Sequence, residues 1–316
     1  MTAVVGPLIL TVTLNPALDV TYTVDAPVVA GTTHRVREVA VRAGGKGLNV
    51  ARVLTALDAP VLATGLLGGG TGEQIAALLA AAGVAASFVR IAAESRRTVA
   101  VTDGAGATGF WEPGPHVSAA EWESFLAHYR ESLTGAATVV LCGSLPREVA
   151  DDAYAVLISI AHESGVDTVL DTDGPALRAG LVADPRVVKP NAAELAAATG
   201  FPVSNMADAQ AAARALRAGG TTAVVASLGS AGLVASTVDG DWRASLPAPL
   251  NGNPTGAGDA CVAALAAGRL NPLPWPELLA DAVACSAAAV ASPVAGAVDP
   301  DRVRRLRPHV VVEEIR

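Results

Sequence analysis

The segment NPTGAGDA at residues 253–260 places small residues and an acid directly before a helix-like run, CVAALAAG. Gly256 and Gly258 let the backbone approach a ligand closely, and a helix beginning here would direct unpaired N–H groups and its positive end toward an anion. Asp259 beside a bound anion suits a base that takes a proton from a hydroxyl attacking phosphorus. For this segment alone, a glycine-rich turn with Asp259 as a helix cap is an equal alternative.

Two other glycine-rich segments are weaker candidates for phosphate binding. GGKG at 44–47 lacks the Ser or Thr that follows Gly-Lys in a Walker loop. GAGATG at 104–109 matches a dinucleotide-binding fingerprint, but it lies between two strand-like runs, which favours a hairpin turn. An NAD-dependent dehydrogenase is therefore supported by this match alone.

Short β-branched runs alternate with longer Ala- and Leu-rich segments along the chain. This alternation predicts strand–helix–strand units and a parallel sheet covered on both faces. In GEQIAALLAAAG, helical spacing places Ile75, Leu78, Leu79 and Ala82 on one face, with Gly83 as a stop. The strand-like runs lie at residues 8–14, 138–142, 168–171, 187–189 and 223–227.

Two stretches, 20–42 and 96–111, break this alternation. Both have the pattern of exposed strands, with no helical run inside either stretch. Together they predict a small antiparallel sheet that projects from the main domain as a lid.

The composition limits the classes of partner. Of the 316 residues, 51% are hydrophobic and 16% are charged, which is enough apolar material for one large α/β domain or two modest ones. The formal net charge of −8 argues against a general nucleic-acid or anionic-membrane surface. Cys142, Cys261 and Cys285 lack CxxC spacing and are expected to be buried in a reducing cytoplasm. Neither a signal peptide nor a membrane span is expected.

Five motifs in register resemble the ribokinase/PfkB family of carbohydrate kinases over nearly the whole chain. They are LNPALD at 14–19, AGGKGLNVA at 43–51, KPNAAEL at 189–195, SLGSAG at 227–232 and NPTGAGDA at 253–260. TLNPALD and GGKGLNVAR are most similar to the branch that acts on phosphorylated ketohexoses. The resemblance implies a single ribokinase-like α/β/α domain over 1–316, with three layers, a mostly parallel central sheet and a β-sheet lid at about 20–42 and 96–111.

The resemblance implies catalytic and nucleotide-binding roles for the matching residues. Asp259 matches the catalytic base, beside an anion hole for the transferring phosphoryl group. Asn191 and Glu194 match a pair that organises Mg²⁺ through water near the ATP phosphates. Without the other motifs, that pair predicts only a capped helix entry. The anion hole matches the amides around Gly256, Ala257 and Gly258. The nucleotide side of the pocket matches Lys189, Ser227, Gly229 and Gly232.

On the acceptor side, Asp19 matches a residue that accepts hydrogen bonds from sugar hydroxyls. By itself, Asp19 would be interpreted as a solvated loop acid. The phosphate already on the substrate needs cations, and Lys46 and Arg96 match those of the phosphosugar branch, with Arg35 as a third candidate. The same face is lined by Gly44, Gly45 and Asn49.

The chain departs from the branch at three positions. Arg97 and His34 stand where the branch usually has Asn, and both are expected on an exposed face of the lid. Asp173 stands where the family commonly has Ser. It is expected to point away, because a further carboxylate would repel an anionic ligand.

Together these residues predict an ATP- and Mg²⁺-dependent kinase that converts fructose 1-phosphate to fructose 1,6-bisphosphate. The same pocket could serve a 6-phosphofructokinase or a tagatose-6-phosphate kinase. The alternative from another class is a non-catalytic sugar-phosphate sensor, against which the retention of Asp259 argues. The resemblance also implies a homodimer through the lid and activation by a monovalent cation near Asn253 and Thr255, with neither nucleic acid nor membrane as a partner.

Overall fold

The computed structural model describes residues 7–104, 106–248, 250–292, 294 and 296–315. The strands are β1 Leu8–Thr13, β2 Ala17–Val24, β3 Val36–Gly44, β4 Val61–Gly68, β5 Ala86–Ile91, β6 Arg96–Thr102, β7 Ala107–Trp111, β8 Ala136–Cys142, β9 Asp167–Asp171, β10 Val187–Val188, β11 Ala223–Ser227, β12 Leu233–Thr237, β13 Gly240–Ser245 and β14 Val311–Glu314. The α-helices are α1 Lys46–Ala56, α2 Gly69–Ala81, α3 Ala119–Ser132, α4 Ala153–Glu163, α5 Gly174–Leu181, α6 Ala192–Thr199, α7 Met206–Ala218, α8 Ala257–Leu270, α9 Trp275–Val290 and α10 Pro300–Leu306. Single 3₁₀ turns occupy Gly229–Ala231 and Arg307–His309.

The main sheet has the order β14-β13-β12-β11-β10-β9-β8-β1-β4-β5. Every pair from β11 to β5 is parallel, and β12, β13 and β14 extend one edge antiparallel. The prediction of a mostly parallel central sheet is confirmed. All five predicted strand runs fall on its strands, within two residues of the observed ends.

Two hydrophobic cores lie on opposite faces of the main sheet. On β1, Leu10 and Val12 pack into one core, while Ile9 packs into the other. Side chains of α3 to α7 fill the first core, and those of α1, α8, α9 and α10 fill the second. Because successive strand residues point to opposite faces, this alternation produces the predicted three layers.

The smaller sheet, which we call the lid sheet, has the order β3-β2-β6-β7. The prediction that it is antiparallel is wrong for its central pair, because β2 and β6 are parallel. Between them the chain passes through β3, α1, β4, α2 and β5, and a crossover of this length allows parallel pairing. The lid sheet also extends further than predicted, since β2 begins at Ala17 and β3 ends at Gly44.

Two local predictions concern the buried face of α2 and the cysteines. On the predicted face of α2, Ile75 and Leu79 are buried and Leu78 is partly buried, while Ala82, just after the last helical residue, is exposed. The three cysteines are free and buried. Among the described residues, no helix combines the length and apolar character needed to span a bilayer.

Candidate active site

A cleft of about 1430 Å³ runs along the carboxyl ends of the parallel strands and continues under the lid sheet. Thr13, Asp171 and Ser227 lie at the ends of β1, β9 and β11, and all three line the cleft. Ligands of open α/β sheets bind at this edge of the strands. The fold therefore brings the motif residues to one place although they are far apart in sequence.

The start of α8 opens onto this cleft. Gly256 precedes the helix in the left-handed region at φ 85°, a conformation that favours glycine. A Cβ added at Gly258 would meet only the side chain of Lys189, with Nζ at 3.6 Å. The first turn of α8 therefore faces open space beside a cation, a suitable environment for an anion.

Asp259 lies in the first turn of α8 and is only 7% exposed. Asn49 on α1 donates from Nδ2 to Asp259 Oδ2 at 2.7 Å. Burial, followed by the negative charge of Asp171, raises the pKa of Asp259 to about 6, against the opposing effects of Asn49, Lys46 and Lys189. A carboxylate with this pKa accepts a proton readily near neutral pH.

Asp171 is a site residue to which the sequence analysis assigned no role. Lys46 Nζ lies 3.2 Å and Lys189 Nζ 3.5 Å from its Oδ1, and both Asp171 and Lys189 are buried. Burial alone would lower the pKa of Lys46. The charges of Asp171, Glu194 and Asp259 and the hydrogen bond to Asp171 together outweigh burial and raise that pKa above its ordinary value. Lys46 is thus held to the floor of the cleft by an ion pair. An acid ending a buried parallel strand was the available signal for Asp171.

The lid sheet supplies the acceptor-side residues. Thr98 donates a hydrogen bond to Asp19 Oδ1. A Cβ at Gly44 would lie 2.1 Å from Asp19 Cγ, so a larger residue at position 44 would displace this carboxylate. Burial raises the pKa of Asp19, opposed by Thr98 and by the charges of Arg52 and Arg96. Arg96 donates from Nε and Nη2 to the Asn15 carbonyl, each at 3.3 Å, and lines the cleft.

Arg35 is the remaining candidate cation, and Arg97 and His34 are two of the residues that depart from the branch. Arg35 is exposed and lies outside the lining of the cleft, so the structure does not bring it to the other candidates. Arg97 is exposed and pairs with Glu112 at 3.3 Å, as expected for an outer lid residue. The ring of His34 contacts Thr32 and Val29 within an exposed loop.

Asp173, which was expected to point away from the cleft, precedes α5 and lies among the residues that line the cleft. Its side chain is exposed, so water screens the carboxylate from an anionic ligand.

The nucleotide-side candidates line the same cleft. Gly229 and Gly232 have φ of 58° and 94°, and a Cβ at Gly232 would lie 2.2 Å from the Ala244 carbonyl oxygen. The turn after β11 therefore requires glycine at this close approach. Asn191 and Glu194 form a capping box on α6: Glu194 N–H donates to Asn191 Oδ1 at 2.9 Å, and Asn191 N–H to Glu194 Oε2 at 2.8 Å. The pair therefore caps the start of α6, as the helix-entry interpretation predicts, and lies at the edge of the cleft.

The segment 104–109 covers part of the connection between β6 and β7 and the first three residues of β7, and the two strands pair antiparallel; Ala105 is outside the described residues. The segment therefore belongs to a hairpin, as predicted, and lacks the strand-to-helix turn that a dinucleotide-binding fingerprint requires. The dehydrogenase interpretation loses its only support.

A buried acid at a helix start, beside an anion-accepting space and two lysines, defines the class of protein as a phosphotransferase on a ribokinase-like α/β fold. The chain belongs to the pfkB family of carbohydrate kinases, whose sequence model matches residues 12–302. It is a sugar kinase.

Solved structures agree with this family. Phosphofructokinase-2 from Escherichia coli in complex with potassium is 27% identical, with a TM-score of 0.90 over 96% of this chain and 98% of that one. A Thermotoga maritima protein described as a possible 1-phosphofructokinase is 26% identical, with a TM-score of 0.89 over 98% of this chain and 100% of that one. Arabidopsis thaliana ribokinase, at 22% identity and a TM-score of 0.76, covering 96% of this chain and 99% of that one, shares the fold.

Proposed function

We propose that this protein transfers the γ-phosphoryl group of ATP to a ketohexose monophosphate, converting fructose 1-phosphate to fructose 1,6-bisphosphate. The observation that carries the proposal is the presence of Asp259 at the helix start and of Arg96 beside Asp19 in one cleft. The likeness to the Thermotoga protein supports fructose 1-phosphate as the acceptor.

In this proposal each group has a defined task. Asp19 orients the acceptor sugar, and Arg96 holds its existing phosphate. Asp259 takes the proton from the attacking hydroxyl as the new O–P bond forms and the bond to ADP breaks. Lys189 and the amides of residues 256–258 stabilise charge on the transferring group.

The proposed cofactor is Mg²⁺. Mg²⁺ keeps several waters and is bound largely by substrate phosphates, so it needs few protein ligands. Asn191 and Glu194, at the edge of the cleft, would hold its water shell. The ion would neutralise phosphate charge during transfer.

A monovalent cation is a further part of the proposal. Thr255 N–H donates to Asn253 Oδ1 at 3.0 Å in the loop before α8, which lines the cleft. The Escherichia coli neighbour was crystallised with potassium. We place the cation at this loop, next to the anion-binding helix start.

Fructose 6-phosphate is the second candidate acceptor. Escherichia coli phosphofructokinase-2, 27% identical with a TM-score of 0.86, has been solved in complex with fructose 6-phosphate. Arg96 offers the same charge to a phosphate at either end of the sugar, so residue types do not separate the two acceptors or tagatose 6-phosphate. A non-catalytic sensor would not need a proton acceptor at the anion site.

A substrate panel tests the proposal. ADP release is measured with fructose 1-phosphate, fructose 6-phosphate, tagatose 6-phosphate and unphosphorylated fructose. We expect the highest kcat/KM with fructose 1-phosphate. Activity confined to a neutral sugar or a nucleoside contradicts the phosphosugar assignment, and binding of a sugar phosphate without turnover favours the sensor.

The lid sheet is the proposed dimer interface. Val39, Val41 and Phe110 are exposed on the face of this sheet that points away from the cleft. Large apolar side chains exposed on one face of a sheet favour a protein contact. An Escherichia coli neighbour forms a tetramer in its inhibited state. Sedimentation of the protein with and without Phe110→Ser, at a side chain 60% exposed on this face, measures the association, and a monomer in both cases contradicts it.

The raised pKa of Asp259 predicts an acid limb in the rate. The base works only when ionised, so kcat/KM falls about tenfold per pH unit below pH 6. The measurement is kcat/KM between pH 5 and 8, corrected for the separately measured titration of the substrate phosphates. Because Asp259→Asn removes the titrating group, its residual rate is expected to lack the limb. A limb that persists in this variant assigns it to another group.

A further inference from the structure

Arg52 on α1 is connected to the proposed base through Asn49. Arg52 donates from Nη2 to Asn49 Oδ1, one helical turn earlier on the same helix, and Asn49 donates from Nδ2 to Asp259 Oδ2 at 2.7 Å. Arg52 also donates from Nη1 to the carbonyl of Ala43 near the end of β3. Nothing in the motifs assigned a role to Arg52.

The guanidinium determines which end of the Asn49 amide faces Asp259. A side-chain amide has a donor end and an acceptor end, and its rotamer alone does not choose between them. A guanidinium has only donors, so the amide oxygen must face Arg52 and the NH₂ group must face the carboxylate. With the amide reversed, its oxygen would lie against the negatively charged Asp259, and the hydrogen bond would be lost.

The surroundings keep this arrangement in place. The anchor at Ala43 is next to Gly44, the residue that packs directly against Asp19. A Cβ at Gly296 would lie 2.8 Å from Arg52 Nη2 and 2.9 Å from Asn49 Oδ1, so backbone closely covers the contact between the two side chains. The positive charge of Arg52 acts on both Asp19 and Asp259. One side chain thus links the acceptor side of the cleft to the proposed base.

We propose that Arg52 is a positioning residue: it orients the Asn49 amide so that the amide donates to Asp259 and keeps that carboxylate charged and fixed at the cleft. The proposal rests on the proposed function, in which Asp259 is the base. Arg52 itself takes no part in proton transfer, because an arginine does not release its proton at physiological pH.

Arg52→Met tests the proposal, since it keeps an unbranched stem and removes every donor. We expect kcat to fall about tenfold or more, as for a misplaced catalytic group. We also expect the acid limb of the rate to move to higher pH by about one unit, because Asp259 loses both a hydrogen bond and a nearby positive charge. Arg52→Lys keeps the charge and is expected to restore most of the pH midpoint but less of kcat.

A double-mutant cycle and a surface control complete the experiment. In an Asn49→Ala background, Arg52→Met is expected to add little further loss, because the two residues act as one unit. Arg90→Met, on an exposed arginine paired with Glu73 at 3.1 Å, controls for loss of an arginine and is expected to leave kcat and its pH dependence unchanged. Thermal unfolding of each variant monitors the fold. If Arg52→Met does not fold, Arg52→Lys takes its place in the double-mutant cycle with Asn49→Ala.

The outcomes separate this proposal from the proposed function. An active wild-type kinase whose Arg52→Met variant keeps its pH midpoint overturns the positioning role, whatever happens to kcat. Additive losses in the Asn49→Ala background also overturn it. A wild-type protein without kinase activity on any phosphosugar instead refutes the proposed function, and direct titration of Asp259 by carboxyl NMR in both proteins then still tests the effect of Arg52.

Discussion

Asp259→Asn is expected to lower kcat at least about 100-fold, the usual scale for removal of a general base. The amide has nearly the same size and can still accept a hydrogen bond from Asn49, which now donates to the carboxylate at 2.7 Å. The cleft therefore keeps its shape, and the dissociation constants of ATP and of the sugar phosphate are expected to change less than about threefold. Single-turnover kinetics and calorimetry measure the two effects separately.

Asp173→Asn is the matched control for this substitution. It removes a carboxylate from the lining of the same cleft, but this side chain is exposed and lies outside the proposed transfer machinery. We expect its kcat to stay within about threefold of wild type. Equal losses in the two variants would attribute the effect to cleft charge, and an unchanged kcat in Asp259→Asn would reject the role of the base.

Arg96→Met is expected to raise KM for a phosphorylated acceptor about 10- to 100-fold, the scale of a lost hydrogen bond to a charged group. Its guanidinium lines the cleft and is positioned by the Asn15 carbonyl, with two contacts at 3.3 Å. The loss is expected in acceptor binding, while KM for ATP stays nearly constant. Initial rates with each substrate varied separately distinguish the two constants.

Arg97→Met is the control on the adjacent residue. Successive residues of β6 point to opposite faces of the lid sheet, and Arg97 is exposed and paired with Glu112. We expect its KM values to equal those of wild type. A similar rise in KM for both variants would indicate a general field effect, and an unchanged KM in Arg96→Met would remove Arg96 from phosphate binding.

Much of the fold was predictable because its signals are local. β-branched runs of three to seven residues marked strands of the main sheet, and the helical spacing of Ile75 and Leu79 marked α2. The capping box of Asn191 and Glu194 was likewise visible in a four-residue segment. These patterns depend on neighbours within a few residues, so the sequence contains nearly all of the information.

The motifs also predicted most of the residues that line the cleft; Gly44, which packs against Asp19, and Arg35 are outside its lining. Glycines at close approaches, such as Gly44 against the Asp19 carboxylate and Gly232 against the Ala244 carbonyl oxygen, lie within these short motifs. Arg35 lies in a connection between strands, where no local pattern determines the path of the chain.

The tertiary structure alone decided how these residues pair. Asn49 meets Asp259 across 210 positions and Lys46 meets Asp171 across 125, and β2 aligns parallel with β6 only after the chain has crossed the main sheet. Burial and the charge of Asp171 then raise the pKa of Asp259 to about 6. Residue types specify which charges are available, but the partner of each charge and its exposure to water depend on packing between distant segments, and those two quantities determine its chemistry.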